Sequence, residues 1–217
     1  MAVAVLAPMS RRCPQVADAL QTKPNWNRPM THTVKSLIAT VALCLAVVMP
    51  AFAQKVRLAT SMGDIVLELD AERAPKSAAN FVQYVNAKHY DGTIFHRVIP
   101  TFMVQGGGMK PDMSQKPTRA AITLESRNGL HNLRGTVAMA RTSDPNSATS
   151  QFFINVVDNA FLDADNARDG QGYAVFGKVI EGMEVVDKIR DIPTQNNGAN
   201  ANVPVAPVLI HKATLEK

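Results

Sequence analysis

Apolar and polar positions alternate along Val56-Arg57-Leu58-Ala59-Thr60, the pattern of a strand with one buried face. Met62-Gly63-Asp64 follows as a turn signal, and Ile65-Val66-Leu67-Glu68-Leu69 reads as a second strand, so this stretch predicts a hairpin. The period changes at Pro75, a residue that favours the first turn of a helix. Ala78, Phe81, Val82 and Val85 then recur at i, i+3, i+4 and i+7, which makes one apolar face. Strand-like runs return at 93–98, 102–105, 135–140, 151–156 and 173–180. A short helix near Met183–Arg190 has Val185, Val186 and Ile189 on one side, and 208–215 ends the chain as a strand. Many strands, few helices and turn-rich connections predict a closed antiparallel sheet whose helices bury their apolar faces at its ends. The connections 106–133 and 157–172 are long, and long ordered loops on a barrel are where function tends to sit.

Composition supports one folded unit over 54–217. The 217 residues are 46% hydrophobic and 19% charged, enough to bury a full core without disulfides or metals. The formal net charge of +5 loses its meaning once it is located. Of 23 basic and 18 acidic residues, five (Arg11, Arg12, Lys23, Arg28, Lys35) and one (Asp18) lie in 1–53. That leaves 18 and 17 in 54–217, a net charge of +1, so a nucleic-acid partner is not expected. Both cysteines, Cys13 and Cys44, also lie in 1–53, so the folded part has no disulfide and no cysteine-based metal site. His89, His131 and His211 show no ligand spacing, and no metal or cofactor is predicted.

Residues 30–53 have the layout of a cleavable secretory signal. Arg28 and Lys35 precede an apolar run from Leu37 to Met49, Pro50 breaks it, and Ala51-Phe52-Ala53 forms an A-x-A site. The run of 13 residues is short of the roughly 20 needed to span a bilayer. Cys44 follows Leu43 within that run, which does not suit a lipoprotein. Residues 1–29 show no periodicity and are read as a non-structural extension or an over-extended reading frame ahead of a start at Met30. The expected cut falls between Ala53 and Gln54, giving a periplasmic mature chain with no stable membrane insertion.

Candidate chemistry concentrates in three stretches, 90–108, 135–157 and 159–179. Arg97 sits among Phe95, Val98 and Ile99, where an arginine needs an acceptor or a site. Taken alone it reads as a solvated strand position, Gln105 likewise, and Gly106–Gly108 as a turn. Met139, Phe153, Phe161 and Leu162 alone read as packing residues, and Arg141–Ser150 as an ordinary connection. His96 precedes Arg97, so strand alternation puts it on the opposite face in a structural role.

Together the stretches resemble the cyclophilins. Phe95, His96, Arg97, Phe102, Met103, Gln105, Gly106 and Gly107 match F-H-R-x-x-x-x-F-M-x-Q-G-G. Ser150 through Ile154 match S-Q-F-F-I, and Phe176 through Val179 match F-G-K-V. The order and spacing are the family's, and the likeness spans essentially all of 54–217. It is strongest to the exported bacterial branch, through Arg134–Thr142 and Ser147–Asn155.

The resemblance implies a mainly β fold: a closed eight-stranded antiparallel β-barrel capped by two α-helices, near 76–87 and 182–190. It implies peptidyl-prolyl cis–trans isomerase activity on X–Pro bonds of exported proteins, assisting their folding. The alternative is a peptide-binding chaperone module with little turnover. By this resemblance Arg97 is the catalytic arginine, with Gln105 orienting it or the substrate. Phe102, Met103, Phe153 and Leu162 form the proline pocket, and Gln105 and Gln151 hold the substrate backbone. Ala140 and Arg141 offer main-chain groups; Arg141 replaces the family's usual Asn, so only its main chain carries over. Phe161 stands where many eukaryotic members have a Trp that contacts cyclosporin, and Tyr173 where they have a His lining the pocket. Proline-containing peptides are the expected partners, with weak cyclosporin binding, no cofactor and a monomeric state.

Mass spectrometry of the protein from its native host is expected to show a mature chain starting at or near Gln54. An intact Met1 on a soluble cytoplasmic form would refute export.

Overall fold

The structure, a computed structural model, describes residues 54–216. The readings placed on 1–53, the extension and the signal segment, lie outside the described residues. Among the described residues, ten strands and two α-helices succeed one another. They are β1 (Lys55–Thr60), β2 (Gly63–Leu69), α1 (Pro75–Asn86), β3 (Thr93–Ile99), β4 (Met103–Met109), β5 (Thr136–Met139) and β6 (Phe152–Asn155). After a 3-10 turn (Ala160–Leu162) come β7 (Val175–Glu181), α2 (Met183–Arg190), β8 (Thr194–Asn197), β9 (Asn200–Pro204) and β10 (Val208–Glu216). Eight strands close into a barrel in the order β1-β10-β3-β4-β6-β5-β7-β2, every neighbouring pair antiparallel. The expected mainly-β barrel with two helices is what forms.

The helices sit at opposite ends. α1 follows the end of β2, and Phe81 on its apolar face packs onto the rings of Tyr90, Phe152 and Phe176 at 4.9, 5.3 and 5.2 Å between centroids. Such offset and edge-to-face contacts add about 0.5–1.5 kcal/mol each beyond area burial. α2 meets the start of β2, with Val185, Val186 and Ile189 buried. A Cβ on Gly63 would lie 2.9 Å from Val185 Cγ2, so only glycine lets the β1–β2 turn pass beneath α2.

The start of α1 shows how a long connection is held. Ala74 provides no side-chain cap. The carboxylate of Glu125, from the 110–135 excursion, instead accepts the backbone N–H of Lys76 (3.0 Å) and Ser77 (2.8 Å) and the Ser77 hydroxyl (2.7 Å). Two otherwise orphaned donors gain an anionic acceptor at the positive end of the helix. Caps of this kind contribute about 1 kcal/mol, and here the same bonds pin the excursion to the barrel.

Two departures from the sequence reading have clear causes. β4 does not stop at Gln105 but runs through Gly106–Gly108 to Met109. Those glycines are close approaches rather than a turn. A Cβ on Gly106 would lie 2.8 Å from the Phe95 ring, one on Gly107 2.9 Å from Phe152 and Tyr90, and one on Gly108 2.5 Å from Gln151. The second is the β8–β9 hairpin, which pairs Thr194 with Pro204 and Asn197 with Asn200 outside the barrel. Its strands are mostly exposed and lack apolar alternation, which hid them from a periodicity reading. The Asn197-Gly198 pair, a hairpin-turn signal, was its one visible mark.

Candidate active site

The site lies on the outer face of four adjacent barrel strands. Arg97 on β3 pairs with Gln105 on β4, Gln105 with Phe153 on β6, and Phe153 with Ala138 on β5. Ladder register thus sets an arginine, an amide and an aromatic ring side by side. Met103, Ala138, Phe153, Leu162 and Val175 form one apolar cluster, separate from the barrel core, against which Phe102, Ala140 and Tyr173 also pack. Phe153 is only 4% exposed and forms the floor. The Tyr173 ring stands edge-on to Phe153 with centroids 5.7 Å apart. Phe161, 57% exposed, lies against Phe102 at 5.5 Å and marks the open side.

Arg97 is half-buried, and none of the ion pairs among the described residues includes it. Its Nη1 donates to Gln105 Oε1 at 3.2 Å, and Gln105 Nε2 donates to Gln151 Oε1 at 2.9 Å. The two amides fix the guanidinium without neutralising it. It therefore keeps donors and charge for a group outside the protein. A cavity of about 380 Å³ beside it is lined by His96, Arg97, Gln105, Met109, Gln151 and the tip of the β8–β9 hairpin. Another, of about 300 Å³ between β2 and β7, is ringed by Glu68, Lys178, Asp70 and Arg73, which pair with one another. With those charges already committed, the chemistry points to the Arg97 face.

All eleven site residues singled out from the sequence fall on this face or at its rim. The separate reading of His96 is corrected. His96 does not sit opposite Arg97. The register passes from Phe95↔Gly106 to Arg97↔Gln105, which leaves His96 unpaired as a β-bulge. The bulge breaks strict alternation and puts the imidazole in the same cavity as Arg97, Gln105 and Gln151. Burial pushes its pKa down to about 4, and the Arg97 charge acts in the same direction. Its Nδ1 is buried without a hydrogen-bond partner.

Two further features had no sequence signal. A buried amide network backs Phe102: Asn159 Nδ2 donates to Phe102 O (2.9 Å) and Asn155 Oδ1 (2.8 Å), and Asn155 Nδ2 donates to Asn132 Oδ1 (3.2 Å). It ties both long connections to the end of β6. The other is the Arg141 side chain, which folds inward beneath the Tyr173 ring, 4.6 Å from guanidinium to centroid. Among the described residues, no group of three or more His, Cys, Asp or Glu side chains is placed to hold a metal ion.

Comparison with known proteins agrees with this fold. A family model described as cyclophilin type peptidyl-prolyl cis-trans isomerase/CLD matches residues 55–215. Peptidyl-prolyl cis-trans isomerase A of Dickeya dadantii is 54% identical over 192 residues, covering 87% of this chain and 100% of that protein. A peptidyl-prolyl cis-trans isomerase of Acinetobacter baylyi is 59% identical over 155 residues, 71% of this chain and 81% of that protein. Among solved structures, a Cryptosporidium parvum cyclophilin type isomerase in the presence of the dipeptide Ala-Pro superposes with a TM-score of 0.62 at 27% identity. It covers 76% of this chain and 99% of its own.

The neutral His96 has a consequence for stability. Its folded pKa lies below the ordinary 6.5, so the unfolded chain binds the extra proton between about pH 6.5 and 4. Stability is full above that window and is lost as pH falls through it. The loss is on the order of 3 kcal/mol at 1.36 kcal/mol per pKa unit. His89, also lowered by burial, adds in the same sense. Urea unfolding at pH 4 to 7 should show this slope, and His96→Gln should remove most of it. An unchanged slope in the variant would mean that His96 is not the titrating group.

Proposed function

The chain belongs to the cyclophilin-type peptidyl-prolyl cis–trans isomerases, and from that membership we propose that Arg97 drives the rotation while the Phe153 pocket holds the proline ring. The reaction makes and breaks no bond. Its barrier, ~18–20 kcal/mol, is the resonance energy of the amide lost on twisting. A roughly 10⁵-fold acceleration requires about 7 kcal/mol of binding that appears only in the twisted state.

The twisted state supplies a handle for such binding. As resonance is lost, the proline nitrogen becomes pyramidal and regains a lone pair, which accepts a hydrogen bond that the planar amide nitrogen cannot. A guanidinium fixed beside it stabilises the twisted form selectively. The observation that carries this reading is Arg97 held by Gln105 and bound to no carboxylate, two ladder positions from Phe153. An arginine paired with an acid would have its charge already spent. Phe153, Met103, Phe102, Leu162 and Tyr173 present an apolar wall to the ring, which stays put while the preceding residue swings. Gln105 and Gln151, with the main chain of Ala140 and Arg141, align the peptide in this reading. One chain supplies every group, so a monomer suffices.

The clients in this proposal are proline-containing exported polypeptides, whose folding the enzyme assists in the periplasm. The layout of 30–53 and the near-neutral balance of 54–217 support export. The solved relative recorded in the presence of Ala-Pro supports a dipeptide of that class as the minimal ligand.

Arg97→Ala should lower kcat by ~10²–10³, the usual effect of removing one preorganised transition-state donor. Arg97→Lys should recover only part, since a mobile point charge replaces a fixed fork. Phe153→Ala should raise KM and so lower kcat/KM, with kcat changing far less than in Arg97→Ala, because the ring contacts proline in both states. Circular dichroism checks folding. A folded Arg97→Ala enzyme with near wild-type kcat would overturn the mechanism. Cyclosporin should bind weakly, because phenyl at 161 lacks the indole N–H and its contact area. Titration against Phe161→Trp should show tighter binding, with peptide turnover within a few-fold; equal affinity for the two proteins would remove this position as the determinant.

A further inference from the structure

The sequence assigned Arg141 no role beyond its main chain, yet its side chain is only 2% exposed. A buried cation is costly unless it is paired and hydrogen-bonded. Arg141 is paired with Asp169, and each of its three nitrogens donates to an acceptor, two of the three on one loop. Nε donates to Gly172 O at 2.9 Å, Nη1 to Thr142 O at 2.9 Å, and Nη2 to the Asp169 carboxylate. The face of Tyr173 covers the guanidinium carbon at 4.6 Å. Asp169 in turn accepts the backbone N–H of Gln171 (3.0 Å) and Gly172 (3.2 Å).

The loop these contacts hold is folded back on itself. Gly172 has φ +66°, and a Cβ there would lie 2.6 Å from Ala164 N and 2.7 Å from Leu162 O. Tyr173 N–H donates to Leu162 O at 2.9 Å. Leu162 and Tyr173, at the two ends of the loop, are thereby joined into one unit. Arg141 fastens that unit to the segment that follows β5. Tyr173 is left with the guanidinium on its face and Phe153 edge-on at 5.7 Å, an interplanar angle of 78°.

We propose that Arg141 is a positioning residue for the proline pocket: through Tyr173, Gly172 and Asp169 it sets where the Tyr173 wall stands, and so how tightly the pocket grips the proline ring. The inference rests on the reading that Tyr173 lines that pocket. Arginine is suited to the task because one planar group can stack on a ring and donate from its edge at the same time. Lysine can supply the charge over the ring but not the fork that spans Gly172 and Asp169. The step affected is ground-state and transition-state binding alike, because the ring occupies the pocket in both. Chemistry at Arg97, on the other side of Phe153, is not addressed by these contacts.

The test is kcat and KM for an Ala-Pro peptide with wild type, Arg141→Ala, Arg141→Lys, Tyr173→Ala and the Arg141→Ala/Tyr173→Ala pair in the mature protein, with thermal melts alongside. Arg141→Ala should raise KM about 5–30-fold, the span between an exposed and a desolvated cation–π contact, while kcat moves by less than about twofold. Arg141→Lys should restore part of the loss. The pair should be no worse than Tyr173→Ala alone, because the two act as one unit. If Arg141→Ala does not fold, Asp169→Asn, which keeps the shape and removes the anion, should still raise KM by roughly two- to threefold from the same contact. A lowered melting temperature with unchanged KM would show a merely structural role and overturn the proposal. So would multiplicative effects in the pair. If Tyr173→Ala itself leaves KM unchanged, the pocket assignment fails and takes the proposal with it. If Tyr173→Ala raises KM while Arg141→Ala does not, the pocket stands and only the positioning role is lost.

Discussion

A barrel of eight strands has an interior just wide enough for side chains to fill or for one small ligand. Here it is filled by Phe95, Phe152 and Phe176 with the aliphatic residues around them, and α1 seals one end with Phe81. Everything else follows from that filling. No ligand can enter, so a site must form on an outer face. The aromatic packing also dictates the backbone beside the site. Phe95, Phe152 and Tyr90 press against β4 so closely that no Cβ fits at Gly106 or Gly107, and Gln151 does the same at Gly108. Between Ile94↔Met109 and Phe95↔Gly106 the β4 strand consequently carries two residues with no partner. The core and the site are two faces of one constraint.

Two arginines on that face show how partners decide a cation's work. Arg141 is enclosed, with an acid, two carbonyls and a ring, and the Asp169 carboxyl beside it is held at about 2 by this guanidinium and by two backbone N–H donors. Such a pair stays ionised at any physiological pH and serves as a fastening. Arg97 is held by a neutral amide and bound to no acid. It is oriented at low cost and, in the proposed mechanism, left free to donate to a developing lone pair. In that mechanism, exchanging the two environments would give a rigid but inert Arg97.

Much of this was legible along the chain, and the limits of legibility are physical. Helix α1 was read from its period-3.6 face and its proline, and each is a local property. The eight barrel strands showed as runs because β-structure packed on one or two faces leaves a period or an apolar block. Phe153 lies 48 residues from Gln105 and 56 from Arg97, and only the family pattern connected them. β8 and β9 escaped because an exposed hairpin needs no apolar pattern. The His96 assignment failed because alternation assumes an unbroken ladder, and a bulge is a property of two strands together.

Local chemistry in the sequence by itself determined the elements, the charge balance of 54–217 and the kinds of side chain available for the reaction. Only the tertiary structure decided which of the two arginines on the site face would be left without an acid, which glycines were required by neighbouring rings, and that Glu125 would cap a helix 48 residues away. These are facts about what stands opposite a residue. A sequence specifies its neighbours along the chain directly, but its neighbours in space arise only after register, bulges and loop closure have been settled by packing.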